Sequence, residues 1–100
     1  MVTYEVSARV DAPVVEQYER YMRDKHLRDV LTSGCFVDAT FERAGEGYYV
    51  VRYRTRTQAD LDRYLREHTS GLREDFRRHF PDGVLLSREV WSELITRKAR

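Results

Sequence analysis

The sequence lacks the features of secreted and membrane proteins. Its 100 residues include one cysteine, so no disulfide can form within the chain, and a reducing compartment fits this composition. No apolar run approaches the roughly 20 residues of a membrane helix. The first residues have neither the basic start nor the apolar stretch of a signal peptide. We therefore expect a cytoplasmic protein with no membrane partner.

The sequence also lacks an excess of either charge. Its 18 basic and 17 acidic residues give a formal net charge of +1, which provides no overall attraction to nucleic acid or anionic lipid. Tyrosines and arginines alternate loosely over residues 48–56, but no run fits the pattern of an RNA-binding sheet. We therefore expect no nucleic-acid partner.

Short metal-ligand spacing is absent as well. Neither His-x-x-x-His nor Cys-x-x-Cys occurs, so the three histidines and the cysteine do not predict a metal site. No cofactor is expected on this evidence. Cys35 begins a predicted strand on its apolar face, which is more typical of an inert core thiol than of a nucleophile.

Alternation of apolar and polar residues predicts four strands, over 2–10, 35–43, 48–56 and 84–94. A hairpin over 44–47 joins the second strand to the third. The phase of the last strand is unclear, because Leu86 suggests one buried face and Trp91 suggests the other. A bulge near 87–88 would account for this. Burial of both faces, with the distal half against a partner chain, would account for it equally.

Helical periodicity predicts a first helical region in two pieces. Two groups of apolar or aromatic positions fall on nearly opposite arcs at about 100° per residue. Val14, Val15, Tyr18, Tyr21 and Met22 form one arc, and His26, Leu27, Val30 and Leu31 form the other. One straight helix cannot bury both arcs against one sheet. We therefore predict a helix over 13–24, a break near 24–25 and a short second piece over 27–32, with Gly34 ending it in the left-handed conformation.

A second helical region is predicted over residues 57–80. Thr57 followed by Asp60 resembles a capping box, and Pro81-Asp82-Gly83 ends the pattern. Its inward stripe includes Tyr64, His68 and either Asp75 or Phe76. Gly71 lies inside the stripe, so a small kink or close packing is expected there.

The order β-α-β-β-α-β predicts an α+β, ferredoxin-like fold over residues 1–95, with 96–100 as a frayed basic tail. Its four-stranded antiparallel sheet carries both helices on one face, because crossovers are right-handed. The other face carries acids and arginines, which can pair across neighbouring strands. Those positions are Glu5, Arg9, Asp38, Thr40, Glu42, Arg52 and Arg54. This face is either solvated or stacked on a second copy, and we expect the homodimer.

Two motifs resemble a known family. They are Tyr18-x-x-Tyr21-Met22-x-x-x-His26-x-x-x-Val30-Leu31-x-x-Gly34-x-Phe36 and Tyr64-Leu65-x-x-His68-x-x-x-Leu72. The chain is similar to a bacterial family of roughly 100-residue proteins of unknown function, within the dimeric α/β barrels that include the antibiotic-biosynthesis monooxygenases. The sequence has Tyr18 and Tyr21 where tryptophan is common in that family, and Arg28 where proline is common. The resemblance implies a homodimeric α/β barrel and no particular reaction.

The candidate catalytic residues are His26 and His68, as an acid/base pair if they share a pocket. The alternatives are that His26 caps the second helical piece and that His68 is a core histidine hydrogen-bonded to a tyrosine or a carbonyl. Some barrels of this architecture hold haem through a second-helix histidine, which would make His68 a proximal ligand. The predicted ligand pocket consists of Tyr18, Tyr21, Met22, Tyr64 and Trp91.

Two functions fit these residues. One is cofactor-free enzyme chemistry, such as monooxygenation or isomerisation, on a small and partly apolar molecule. The other is a non-catalytic dimeric module that binds a ligand or a partner protein. The arginines at 52, 54 and 56 could bind an anion inside the dimer, but the acids on the same face favour structural ion pairs.

Overall fold

The computed structural model describes residues 1–100 and contains one four-stranded antiparallel sheet. The strands are β1 (Val2–Val10), β2 (Asp38–Arg43), β3 (Tyr48–Thr55) and β4 (Val84–Ser92), in the spatial order β2-β3-β1-β4. Every neighbouring pair is antiparallel. With the helical regions between β1 and β2 and between β3 and β4, this is the predicted ferredoxin-like fold.

Both helical regions cover the same face of the sheet. Tyr18 of the first region packs on Tyr49, and Tyr64 of the second packs on Tyr4, with ring centroids 5.0 and 6.1 Å apart. The alternating apolar positions of β1 and β3 supply this face, as their period of two predicts. The most deeply buried residues there include Ala8, Tyr49, Val51 and Tyr53, each no more than 2% exposed.

The first helical region continues through the position where we predicted a break. A 3₁₀ turn (Ala12–Val14) leads into α1 (Val15–Tyr21), a π segment (Met22–His26) and α2 (Leu27–Thr32). The amide of Leu27 bonds to the carbonyl of Met22, five residues back. This wider turn changes the helical phase, so Tyr18 and Val30 are both buried without an interruption of the backbone. The predicted break was wrong in form, although it was placed at the right residues.

The second helical region is divided where we predicted none. It consists of α3 (Gln58–Glu67) and α4 (Thr69–His79), separated at His68, whose φ and ψ are −120° and −20°. Gly71, where we expected a kink, lies inside α4. The predicted cap is confirmed, because the amide of Asp60 donates to the Thr57 hydroxyl at 3.2 Å. No helix of the structure combines the length and the apolar character that crossing a membrane requires.

Two strand predictions need correction. Strand β2 begins at Asp38 rather than at residue 35. Of the residues before it, Cys35 is buried and Val37 is 43% exposed. Strand β4 has no bulge, because its register with β1 runs unbroken from Val10 opposite Val84 to Val2 opposite Ser92. Leu86 therefore faces the helices and Trp91 faces away from them.

The face of the sheet without helices carries the predicted cross-strand ion pairs. Arg54 and Asp38 lie opposite each other, with Nε donating to Oδ1 at 2.7 Å. Arg52 lies between the carboxylates of Glu5 and Glu42 and pairs with both. These exposed pairs fix the side chains of neighbouring strands, although each contributes little stability alone.

Candidate functional site

A cavity of about 290 Å³ lies between the sheet and the helical layer. Its floor comes from β1, β3 and β4, and its walls come from the first helical region, α3 and α4. Ten of its 15 lining residues are hydrophobic, and the other five are His26, Thr69, Arg73, Arg77 and Arg88. An apolar cavity with a few polar groups is the usual form of a small-molecule site.

Four of the predicted site residues line this cavity. They are Tyr18, Met22, His26 and Tyr64. The π segment brings Met22 and His26 to the wall, because its extra residue per turn keeps both on the inward side of the helical region. Segments of π-helix often occur at functional sites.

The other three predicted residues lie outside the cavity. Tyr21 is buried and does not line the cavity, and its ring packs against the ring of His26 with centroids 5.5 Å apart. His68 lies at the junction of α3 and α4 with its ring stacked on Tyr64, so the two histidines do not share the cavity. Trp91 is 55% exposed on the opposite face of the sheet, because odd-numbered residues of β4 point away from the helices.

The Asp75 carboxylate joins the two helical regions beside His26. Its Oδ2 accepts from the Tyr21 hydroxyl at 2.8 Å and from Lys25 Nζ at 3.0 Å. Its Oδ1 accepts from Arg78 at 3.0 Å. These bonds lower the pKa of Asp75 far below its ordinary value, the Tyr21 bond contributing most. Asp75 is therefore an anion at neutral pH, and it fixes the direction of the Tyr21 hydroxyl proton.

This direction determines the tautomer of His26. Tyr21 donates its only hydroxyl proton to Asp75, and its oxygen lies 3.4 Å from Nδ1 of His26. The oxygen can therefore only accept, so the bond requires the proton of the neutral imidazole to be on Nδ1. Nε2 is then an unprotonated acceptor on a side chain that lines the cavity.

Burial keeps His26 neutral. It lowers the pKa of His26 to about 4, and the nearby charge of Lys25 acts in the same direction. The carboxylates of Asp29 and Asp75 oppose this shift and do not overcome it. The pKa of Tyr21 is raised well above its ordinary value, mainly by burial and by its bond to Asp75. Both side chains are consequently neutral around pH 7, and His26 is available as a proton acceptor.

Sequence reasoning missed Asp75 and Lys25 as parts of the site. Asp75 was visible only as a carboxylate on the inward stripe of a predicted helix, where an acid needs a partner. The buried Cys35 thiol faces the Ser33 carbonyl and not the cavity. No three His, Cys, Asp or Glu side chains are grouped so that they could hold a metal ion.

The depressed pKa of His26 predicts a pH dependence of stability. The unfolded chain takes up a proton near pH 6.5, whereas the folded protein does so only near pH 4, so stability falls as the pH is lowered through this interval. We expect the free energy of unfolding in urea to fall by about 2 kcal/mol between about pH 7 and pH 5. His26→Gln should remove most of this dependence.

The matched control is His79→Gln, which replaces an exposed histidine beside the Asp75 carboxylate. It should retain the dependence of the unmodified protein. The depressed carboxylate pKa values contribute only below about pH 4.5, outside the measured interval. An equal slope in the unmodified protein and in His26→Gln would show that His26 does not titrate as described.

Solved structures with the same fold are similar over almost the whole chain. A Nitrosomonas europaea protein, provisionally named an antibiotic biosynthesis monooxygenase, has a TM-score of 0.74 at 12% identity, covering 95% of this chain and 100% of its own. HapK from Hahella chejuensis has a TM-score of 0.73 at 14% identity, covering 100% and 99%. A variant of SnoaB, a cofactor-independent oxygenase from Streptomyces nogalater, has a TM-score of 0.73 at 15% identity, covering 95% and 94%.

These identities are too low to show more than a common fold. A ferredoxin-like protein from an uncultured marine organism, described as dimeric, is similar at a TM-score of 0.65 and 11% identity, covering 95% of each chain. No curated protein is significantly similar in sequence. A family model, described as a domain of unknown function (DUF4286), matches residues 1–94. The chain therefore belongs to the DUF4286 family.

Proposed function

We propose that the chain is a cofactor-free enzyme of the monooxygenase or isomerase type, acting on a small and partly apolar molecule in the cavity. The observation that supports this most strongly is His26, a neutral imidazole at the cavity wall whose Nδ1 is engaged by Tyr21 and whose Nε2 is free. A base oriented by a second residue, which is oriented in turn by a carboxylate, is the usual arrangement for proton abstraction.

The reaction begins with removal of a proton from an acidic carbon by Nε2 of His26. The resulting carbanion is delocalised into a neighbouring carbonyl or ring. In the isomerase case, the proton returns to a different carbon. In the monooxygenase case, the carbanion is oxidised by O₂, and the net reaction converts a CH₂ group and O₂ into a C=O group and water. His26 returns its proton to the departing oxygen, so the protein is unchanged.

The aromatic side chains would hold the body of the substrate. Tyr18, Tyr64 and Phe76 all line the cavity, and aromatic rings pack well on flat, conjugated molecules. These apolar rings stabilise a carbanion less well than water does. The site is therefore restricted to substrates whose carbanion is already stabilised by delocalisation. His68 would have a positioning role through its stacking on Tyr64.

The similar fold of SnoaB supports the oxygenase alternative, because that protein is described as a cofactor-independent oxygenase. The similarity concerns the fold alone, and the reaction is our proposal for this chain. The competing function, a non-catalytic binding module, would use the same cavity without proton transfer. The two are separated by an assay of proton abstraction itself.

We also propose that the protein is a homodimer. The sheet face without helices exposes Leu85 (76%) and Trp91 (55%) on β4, and the segment after β4 exposes Leu94 (94%) and Ile95 (65%). Large exposed apolar side chains on one face can mark interaction surfaces. A second copy of the same face would cover them. A neighbour with this fold is described as dimeric, which supports the proposal.

Proton abstraction can be measured with 2-tetralone, a two-ring ketone with an acidic CH₂ group. We expect the protein to accelerate exchange of that CH₂ group in D₂O, followed by ¹H NMR, because Nε2 of His26 acts as the base. His26→Gln should lower the rate by roughly 10²-fold. Arg66→Gln, at an exposed residue of α3 outside the cavity, should leave it unchanged.

Binding of the ketone is measured in parallel by calorimetry. Saturable binding without exchange above the buffer rate would contradict the enzymatic proposal and support the binding module. Exchange that persists in His26→Gln would contradict the role of His26. Oxygen uptake during turnover then separates monooxygenation from isomerisation.

The dimer predicts a mass of twice the 12.0 kDa of the chain in size-exclusion chromatography with light scattering. Trp91→Glu should shift the mass to that of one chain, because it places a charge in the apolar contact. Leu31→Glu is the matched control, since Leu31 is an exposed apolar residue on α2, away from this face. A mass of about 12 kDa for the unmodified protein at working concentration would rule out the dimer.

A further inference from the structure

Three arginines line the cavity, and the proposed proton transfer uses none of them. Arg73 and Arg77 are one turn apart on α4, and Arg88 is on the helix-facing side of β4, opposite Val6. All three are exposed residues. They therefore lie where the cavity meets solvent, whereas His26 lies among less exposed side chains.

None of these arginines has an acidic partner. They are absent from every ion pair of the structure, and no Asp or Glu lines the cavity. The neighbouring Arg78 differs, because it pairs with Asp75 at 3.0 Å. On the sheet face without helices, Arg52 and Arg54 are also paired. A chain with nearly equal numbers of acids and bases thus leaves three positive charges together at one cavity.

The guanidinium groups approach the cavity from both sides. Arg73 of α4 donates from Nη2 to the hydroxyl of Tyr4 in the cavity floor, at 3.4 Å. Arg73 and Arg88 also lie close enough to Tyr64 to counteract, in part, the rise that burial causes in its pKa. One side chain from the helical layer and one from the sheet therefore act on the same tyrosine.

We propose that the molecule bound in this cavity carries an oxyanion, a carboxylate or a phosphate ester, attached to its apolar body. This proposal takes the cavity of the proposed function as the site and adds the class of its substrate. Guanidinium groups bind both oxyanions through paired N–H donors, and partial exclusion of water strengthens such bonds. The anion is held at Arg73, Arg77 and Arg88, and the apolar body extends past Tyr64 toward His26.

The probes are three naphthalene derivatives that share one apolar body: 2-naphthoate, 2-naphthyl phosphate and the neutral 2-naphthamide. We expect calorimetric titration to show at least one anion binding about tenfold or more tightly than the amide, as charge-assisted hydrogen bonds require. The tighter of the two anions identifies the carboxylate or the phosphate class. Arg77→Gln and Arg88→Gln should each weaken binding of that anion by about tenfold and leave the amide unchanged.

Arg66→Gln is the matched control, because Arg66 is an exposed arginine on α3 without an ion pair and outside the cavity. It should bind all three probes as the unmodified protein does. Equal binding of anion and amide would overturn the proposal while leaving the cavity as a ligand site. If Arg66→Gln weakened binding of the anion as much as the two cavity variants do, the effect would come from the overall charge of the protein, and the proposal would be wrong. Absence of binding by all three probes, together with no tetralone exchange, would overturn this proposal and the proposed function together.

Discussion

The rest of this site depends on the hydrogen bonds and ion pairs of the Asp75 carboxylate. Its side chain is 17% exposed, so the charge needs partners, and it finds them on both helical regions. Tyr21 and Lys25 come from the first, while Arg78 comes from its own helix. The same carboxylate that ties α4 to the π segment also sets the proton of Tyr21 and, through it, the tautomer of His26. One structural contact thus prepares the free nitrogen at the cavity wall.

The π segment makes this contact possible. In an uninterrupted α-helix, Tyr18 and Val30 would lie about 120° apart around the axis, too far apart to be buried equally against one sheet. The single wider turn at Met22–His26 brings both to the core and places His26 between them. The local energetic cost of poorer hydrogen-bond geometry is offset by burial of both apolar arcs. His26 therefore reaches the cavity wall through the change of helical phase.

Much of the fold could be predicted from period and order alone. Alternation in β1 and β3, the Thr57 cap and the left-handed Gly34, whose φ is +76°, are all local features that a sequence displays. The errors have physical reasons. A change of helical phase can be produced by a break or by a π turn, and both give the same pattern of apolar residues in the sequence. The edge strand β4 lacks a consistent polar face. The residues around Trp91 in the sequence therefore did not indicate on which face of the sheet it lies.

The site was less predictable, because its chemistry depends on pairs distant in sequence. Tyr21 and Asp75 are 54 residues apart, and Arg73 and Tyr4 are 69 apart. His26 could be selected from its place at the phase change, but its tautomer and its depressed pKa follow from packing. In the sequence, the arginines of α4 are typical of an ordinary charged helix face. Only the structure shows which of them have no acidic partner.

The central claim is that Asp75, through Tyr21, holds His26 as a neutral imidazole with its proton on Nδ1. The most direct measurement is a ¹⁵N NMR spectrum of the imidazole at about pH 7, with His26 assigned by its absence in His26→Gln. The account predicts a protonated Nδ1 and an unprotonated Nε2, with the preference weakened in Asp75→Asn. A protonated imidazolium, or a neutral ring with its proton on Nε2, would contradict it.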